Sequence, residues 1–392
     1  MFPPLAYLQW IEGRPEAAEH DLGSSDLRRR RDAAPDDPVP PRLEGLAAPA
    51  DDASLRERVA AEYDLDPSRV LPTAGATHGG FLAVATAATL AVERDGDERD
   101  AADGSGAGYG DGPAGVVANG SRPRALVEKP GYEPLVETPR GLGLRVRRFR
   151  RPAPESRLDA DRVRRAAADL AGPLAHVTVT NRHNPTGRLE TRSRLAETAR
   201  AVSDLDGYLL VDEVYAPYTR DDGAGAFGGP TAAGLPSTVA VGSLTKFHGL
   251  GDLRVGWLVG PAEFVERARL VEHHVPALAG PSAALARRFF AHRDALVADA
   301  RDHCRANHDL LRSFVDGRDD VSGRVDPGSP FAYLEHERAD GDAVAEAAWD
   351  AGVLVVPGRF FDLDAGVRVS LGRDPAHCEA ALDALGSVLD DL

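Results

Sequence analysis

The sequence predicts an α/β fold, with a large domain on a mainly parallel sheet covered by helices on both faces and a smaller α+β domain after it. Three observations lead there. Short apolar runs alternate with helical stretches through the middle of the chain, the order a doubly covered parallel sheet requires. After Pro261 this alternation gives way to long helical stretches with a few strand-like pieces. At 392 residues the chain is long enough to bury two such cores without a disulfide or metal staple.

The elements follow in order. Leu55, Val59 and Tyr63 recur at helical spacing in SLRERVAAEY, and residues 77–92 read as a small-residue helix opening after the Gly75 turn. Apolar runs at 125–128, 176–180, 208–211, 238–241 and 255–259 read as strands, with helices over 158–170 and 191–203 between them. Residues 95–122 are rich in Gly and Asp and read as a surface insertion, because they lack the apolar area that orders a segment. The GSGAGYGDG within it is not a dinucleotide loop, since no strand precedes it and no helix opens from it. Strand-like pieces at 331–335, 353–356 and 367–371 belong to the second domain. These boundaries give an N-terminal arm with part of the small domain over 1–44, a large domain over 45–262, and a small C-terminal domain over 263–392.

Composition narrows the function classes. Sixty-two acidic residues against 46 Lys plus Arg leave a net charge of −16, which argues against nucleic acid, whose phosphates are bound by clustered cations. Only two lysines occur, Lys129 and Lys246, where lysine is ordinarily common. An acidic, lysine-poor chain suits life in high salt, and the expectation is a halophilic protein. Cys304 and Cys378 form neither a disulfide framework nor a metal-ligand spacing. The start, MFPPLAYLQW, lacks a basic segment before an apolar one, and the near-apolar run 81–92 is short of a bilayer span. A cytoplasmic protein with no membrane partner is expected.

Six segments carry candidate chemistry. In SLTKFHGLGDLRVGW, Lys246 lies just past a predicted strand end on a Gly-rich loop, and a lysine amine condenses with an aldehyde. Ser243 and Arg254, on either side of it, suit a phosphate as hydroxyl donor and planar guanidinium. In YLLVDEVYAPY a buried strand runs into Asp212, with Tyr215 three positions on. TNRHNPTGRLE sets Asn184 in a turn after a strand. LPTAGATHGGF places Gly75, Ala76 and Thr77 at a helix start, where free amides and the positive helix end cradle an anion. KPGYEPL and AGVRVSLG supply Tyr132 and Arg368.

From Asp21 to the end, apart from 95–122, these segments resemble the class I/II pyridoxal-phosphate-dependent aminotransferases of fold type I. The resemblance implies a seven-stranded sheet and pyridoxal 5'-phosphate joined to Lys246 as a Schiff base. It assigns the phosphate to Ser243, Arg254 and the cradle of Gly75, Ala76 and Thr77, and the pyridine nitrogen to Asp212. It assigns the ring hydroxyl to Asn184 and Tyr215, the ring face to Tyr132, the substrate carboxylate to Arg368, and a place over the substrate to Gly23. Amino-group transfer from an L-amino acid to a 2-oxo acid by a homodimer is the implied activity, with Lys246, Asp212 and Tyr215 catalytic. Decarboxylases and C–S lyases of the same fold share these residues and stay open as alternatives. A regulator of this fold needs a helix-turn-helix segment first, and only 20 residues precede Asp21. Two departures matter. Residues 42–53 lack the tyrosine that many relatives lend to the neighbouring subunit's phosphate, and Arg182 and His183 replace smaller residues or proline, which bears on substrate contacts. Arg359 in VVPGRFF is a candidate for an acidic substrate side chain.

Overall fold

The structure is a computed structural model that describes residues 2–28, 39–103, 122–168, 171–221 and 223–392. The N-terminal segment forms two short helices, α1 (Ala6–Ile11) and α2 (Arg14–Ala17), and a short strand, β1 (His20–Asp21). Helix α3 (Leu55–Glu62) opens on a capping box in which Ser54 Oγ accepts from the Glu57 amide and Glu57 accepts from the Ser54 amide. The large sheet then builds through β2 (Val70–Thr73), β3 (Arg124–Lys129), β4 (Arg145–Arg150), β5 (Leu174–Thr180), β6 (Tyr208–Asp212), β7 (Thr238–Ser243) and β8 (Gly256–Val259). Between these strands run α4 (Gly75–Asp103), α5 (Glu133–Gly141), α6 (Ala160–Ala168) and α7 (Arg192–Ser203).

The seven strands lie in the order β2-β8-β7-β6-β5-β3-β4, and β7, β6, β5, β3 and β4 are parallel. Only β8 runs against its neighbours, β2 and β7. Strands β5 and β7 are buried over their whole length, so their sequences read as continuous apolar or small-residue runs rather than alternating ones. Residues such as Val177, Val179, Leu209 and Val211 are fully buried, each contributing about 1.5–3 kcal/mol by leaving water.

A second layer follows. Helices α8 (Ala262–Glu272), α9 (Gly280–Ala291) and α10 (Arg293–Asp316) lead to a four-stranded antiparallel sheet in the order β12-β13-β10-β9. Its strands are β9 (Val321–Gly323), β10 (Phe331–His336), β12 (Val356–Pro357) and β13 (Gly366–Ser370). Helices α11 (Gly341–Asp350) and α12 (Pro375–Asp390) cover it, and β11 (Val353–Leu354) pairs in parallel with β1. Leu22 therefore joins the apolar cluster of Leu334, Val353, Val367 and Leu382, far away in sequence.

The structure departs from the sequence reading in places. Strands β2 and β4 are both edge strands: β2 is buried but only four residues long and interrupted by Pro72, and β4 carries four arginines and is largely exposed or half-buried, so neither shows an apolar run. The expected run at 353–356 is split into β11 and β12, which belong to different sheets. Helix α4 does not stop near Val92 but continues to Asp103, so the expected insertion begins as helix. Its AVERDGDERDAAD is rich in helix formers, and one glycine costs too little to end it. Residues 104–121 of the expected insertion, with GSGAGYGDG, lie outside the described residues, as do 169–170 at the end of the expected 158–170 helix.

The stretch Gly75–Gly96 is long and apolar enough to cross a membrane by length and composition, with a mean hydropathy of 1.3. Here it packs across β8, β7 and β5 through buried Leu82, Ala83, Ala87 and Ala91.

Candidate active site

The carboxyl ends of β5, β6 and β7 bring Thr180, Asp212 and Ser243 to one edge of the sheet, where open α/β sheets bind ligands. A cavity of about 480 Å³ opens there, lined by Asp212, Tyr215, Ser243, Lys246, Arg254, Asn184, Tyr132, Ala76, Thr77 and Arg368, among others. Parts of the chain more than 290 positions apart thus meet in one cavity.

Behind it lies a dry ionic clamp. The Arg151 guanidinium donates to Glu128 at 2.7 Å and to Glu190 at 2.8 Å, and Glu128 accepts from the Thr180 amide at 2.6 Å. All three side chains are buried. A buried charge is tolerated only when paired in this way, and the pairing pins the end of β5.

The anion cradle forms where α4 begins. Gly75 has φ +82, and a Cβ there would stand 3.2 Å from Arg254 Nη2, which places the guanidinium over the first turn of α4. Gly256 is required for close approach, since its Cβ would fall 2.6 Å from the Gly75 carbonyl carbon and 2.8 Å from the Ala76 nitrogen. Ser243, the last residue of β7, is buried beside Lys246, with its Oγ accepting from the Thr245 amide at 3.3 Å.

Around Lys246 the charges are coupled. Its Nζ stands 5.8 Å from the centre of the Tyr215 ring. Burial works against the ammonium, but Tyr215, Asp26 and Tyr7 outweigh it and carry the Lys246 pKa above its ordinary value. Burial pushes Asp212 up to about 6, against the opposing pull of the Val214 amide and Lys246. Lys129 lies apart, paired with Asp362 at 3.4 Å, and does not line the cavity.

At the other end Arg368, on β13, is 2% exposed. It donates to Asn184 Oδ1 at 3.0 Å and to the Gly23 carbonyl at 2.9 Å, with Tyr7 Oη 3.5 Å away. Its Nε and Thr180 Oγ1 are buried without a partner, and both residues line the cavity. These two atoms leave a donor and a hydroxyl that a polar ligand in the cavity could satisfy.

Two expectations are corrected by the geometry, and a third residue is placed by it. Gly23 packs on Leu354, whose Cγ a Cβ would meet at 2.8 Å, its carbonyl accepts from Arg368, and the residue of that turn lining the cavity is Ser25. Arg182 and His183 make no substrate wall. Both are fully buried: Arg182 donates to the carbonyls of Gly187, Tyr218 and Pro327, and His183 is held by Pro130 and Thr186. Arg359 pairs with Asp342 and stacks on Phe360, outside the lining.

Sequence reasoning also passed over Tyr7, Leu8 and Ser25, all of which line the cavity. Ser25 Oγ lies 2.6 Å from Tyr215 Oη. Ser25 stood two places from a glycine already singled out, but Tyr7 sits in a six-residue helix that only tertiary contact holds. The Ala6 and Tyr7 amides donate to Glu133 at 3.0 and 2.7 Å, and the Tyr7 ring meets Tyr132 and Phe360 edge-on.

The family model for aminotransferase class I and II matches residues 97–385, nearly three quarters of the sequence. The chain belongs to that family. Among curated relatives, a histidinol-phosphate aminotransferase of Rhodospirillum rubrum is 30% identical over 243 residues, covering 60% of this chain and 63% of the relative. An aromatic amino acid aminotransferase of Rhodococcus jostii is also 30% identical, over 55% of this chain and 58% of the relative. The chain thus spans about three fifths of the length of the curated relatives it matches. In fold it matches aspartate aminotransferase from Thermus thermophilus with a TM-score of 0.73 at 20% identity, over 99% of this chain and 97% of that one.

Proposed function

We propose that this chain is a pyridoxal-phosphate-dependent aminotransferase that moves an amino group from an L-amino acid to a 2-oxo acid. The observation that carries the reading is that Lys246 opens into one cavity with an acid, an anion cradle and a second, separate guanidinium. The donor set fits the cofactor. Arg254, Ser243 and the first amides of α4 would take its phosphate, Asp212 its pyridine nitrogen, Tyr132 its ring face, and Lys246 its aldehyde carbon. Asn184 has its Oδ1 taken by Arg368, so its amide NH₂ is the end left to donate to the ring oxygen, beside Tyr215.

When bound, the cofactor supplies an electron sink for the substrate Cα. The chain supplies the rest. Arg368, a planar fork already oriented by Asn184 and the Gly23 carbonyl, binds the substrate carboxylate. Lys246 Nζ, in its neutral form, would take the proton from the substrate Cα. Asp212, in its ionised form, would keep the pyridine nitrogen protonated. Assembly as a homodimer and a cytoplasmic location complete the reading, and the acidic, lysine-poor composition adds a high-salt setting.

The purified protein should be yellow, with a visible band that changes when a matching amino donor is added. Borohydride reduction followed by peptide mapping should label Lys246, and Lys246→Ala should abolish the label. A label on Lys129 would remove the assignment.

A further inference from the structure

The turn that follows β1 is held against the Lys246 loop. The Leu27 amide donates to the Lys246 carbonyl at 2.9 Å, and the Arg28 amide donates to the Gly372 carbonyl at 2.8 Å. Two glycines allow this approach: a Cβ on Gly249 would fall on the Leu27 carbonyl, and one on Gly372 would fall on the Asp26 carbonyl. On the other side of Asp26, Ser25 lines the cavity, and its carbonyl accepts from Tyr218 Oη at 3.0 Å. Asp26 therefore sits between a residue that opens into the cavity and one bonded to the lysine main chain. It is 7% exposed, and its carboxylate accepts from Arg28 Nε.

Burial drives a carboxylate towards its neutral form. It acts so on Asp26, but Lys246, then Arg28 and Arg373, outweigh it and hold the acid below its ordinary pKa. The relation is mutual, since Asp26 is among the groups that raise Lys246. The groups facing Lys246 differ in when they act. Tyr215 and Tyr7 act as phenols, and a phenol is ordinarily uncharged at neutral pH. Arg368 opposes the ammonium. Asp212 stands at the pyridine end of the cavity in the reading above, where a bound ring would claim its charge. Asp26, in contrast, is an anion throughout the neutral range.

We propose that Asp26 is a positioning residue for Lys246, the counter-charge that keeps the lysine nitrogen protonated at neutral pH. The proposal rests on the reading of Lys246 as the residue that takes the cofactor. A nitrogen that holds its proton leaves the cofactor carbon open to attack by the amino donor. The same counter-charge makes released Lys246 a stronger base in proton transfer.

The test uses the full chain in high salt, with and without cofactor. Reductive methylation with isotope-labelled formaldehyde marks only two side chains, Lys129 and Lys246, besides the N-terminus. Lys129, paired with Asp362, serves as the internal reference for a magnetic-resonance pH titration. A carboxylate shared with Arg28 exerts less than the roughly one to three units of an undivided partner. In the cofactor-free protein Asp26→Asn should therefore lower the Lys246 midpoint by at least about half a unit and leave Lys129 unmoved. In the holoenzyme the midpoint of the visible band should fall with it. Arg28→Gln, which takes a cation away from Asp26, should leave both midpoints level or raise them. An unmoved Lys246 midpoint in Asp26→Asn overturns the proposal, and so does a fall in both variants, which would show a turn that has merely loosened. If Lys246 shifts as expected but the cofactor forms its visible band elsewhere or not at all, the counter-charge stands and the cofactor reading falls.

Discussion

Ser25 and Tyr215 share a 2.6 Å hydrogen bond, and a phenol has one proton to give. With Ser25 donating into the phenol oxygen, the Tyr215 proton is left for the ring oxygen of the cofactor, and the chain of two bonds makes Tyr215 the stronger donor. Ser25→Ala should therefore raise the pH at which the bound cofactor's visible band titrates, by about half a unit, since one hydrogen bond is worth about 1 kcal/mol and acts here at one remove. Ser25→Thr, which keeps the hydroxyl, should restore the wild-type value; a midpoint unmoved in Ser25→Ala would show that the bond only packs the turn. Asp212 gives a second residue-level test. Its pKa of about 6 in the folded chain exceeds the ordinary 3.8, so the folded state holds a proton that the unfolded chain has released. That contribution to stability is fully present below about pH 4 and is lost as pH rises to about 6. Replacing the acid by an amide removes the effect, so cofactor-free Asp212→Asn should gain stability relative to wild type between pH 4 and pH 6 in denaturant titrations. A difference that does not change with pH would mean that Asp212 is not held neutral by burial.

At the scale of elements, α4 both starts the anion cradle and runs on past Gly96 to Asp103. A Cβ on Gly96 meets nothing within 4 Å, so Gly96→Ala should stabilise the protein by about 0.5–1 kcal/mol, the ordinary helical gain. Gly256→Ala is the opposite case: its Cβ would press on Gly75 and Ala76, and cofactor retention should fall at least about tenfold in a dialysis assay while the chain still folds. Equal retention would mean that the cradle yields without cost. The sequence made α4, β5, β6 and β7 legible because each is a long helix or a strand with a buried apolar centre, and so carries one dominant signal. It also made Lys246, Asp212 and Arg254 legible as candidates, because charged groups at strand ends and Gly-rich loops stand out from the apolar runs before them. What it hid was set by distant contacts: α1 is held by Glu133, 126 positions from Tyr7, and Ser25 reaches Tyr215 across 190 positions. No local pattern records such a pairing, and the exposed charges of β4 resemble those of any loop.

For the whole molecule, charge and apolar surface pull in opposite directions. Each chain carries −16, yet Leu270 is 52% exposed and Val275 38% exposed, and residues 275–277 and 279 form an exposed apolar run between α8 and α9. Covering that run with a second copy would remove apolar area from water, but it would also bring two acidic bodies together. Screening decides the balance. The Debye length is about 10 Å at 0.1 M salt and about 3 Å at 1 M, so the repulsion reaches across an interface at low salt and is confined to contacting charges at high salt. Light scattering should therefore report a dimer above about 1 M salt and a growing monomer fraction as salt is lowered towards 0.1 M. Val275→Arg should shift that transition to higher salt, because it places a hydrated cation in the apolar run and leaves the cavity lining untouched. A monomer at every salt concentration would show that the apolar run between α8 and α9 is not an interface between copies, and a dimer insensitive to salt would show that the acidic surface faces away from it.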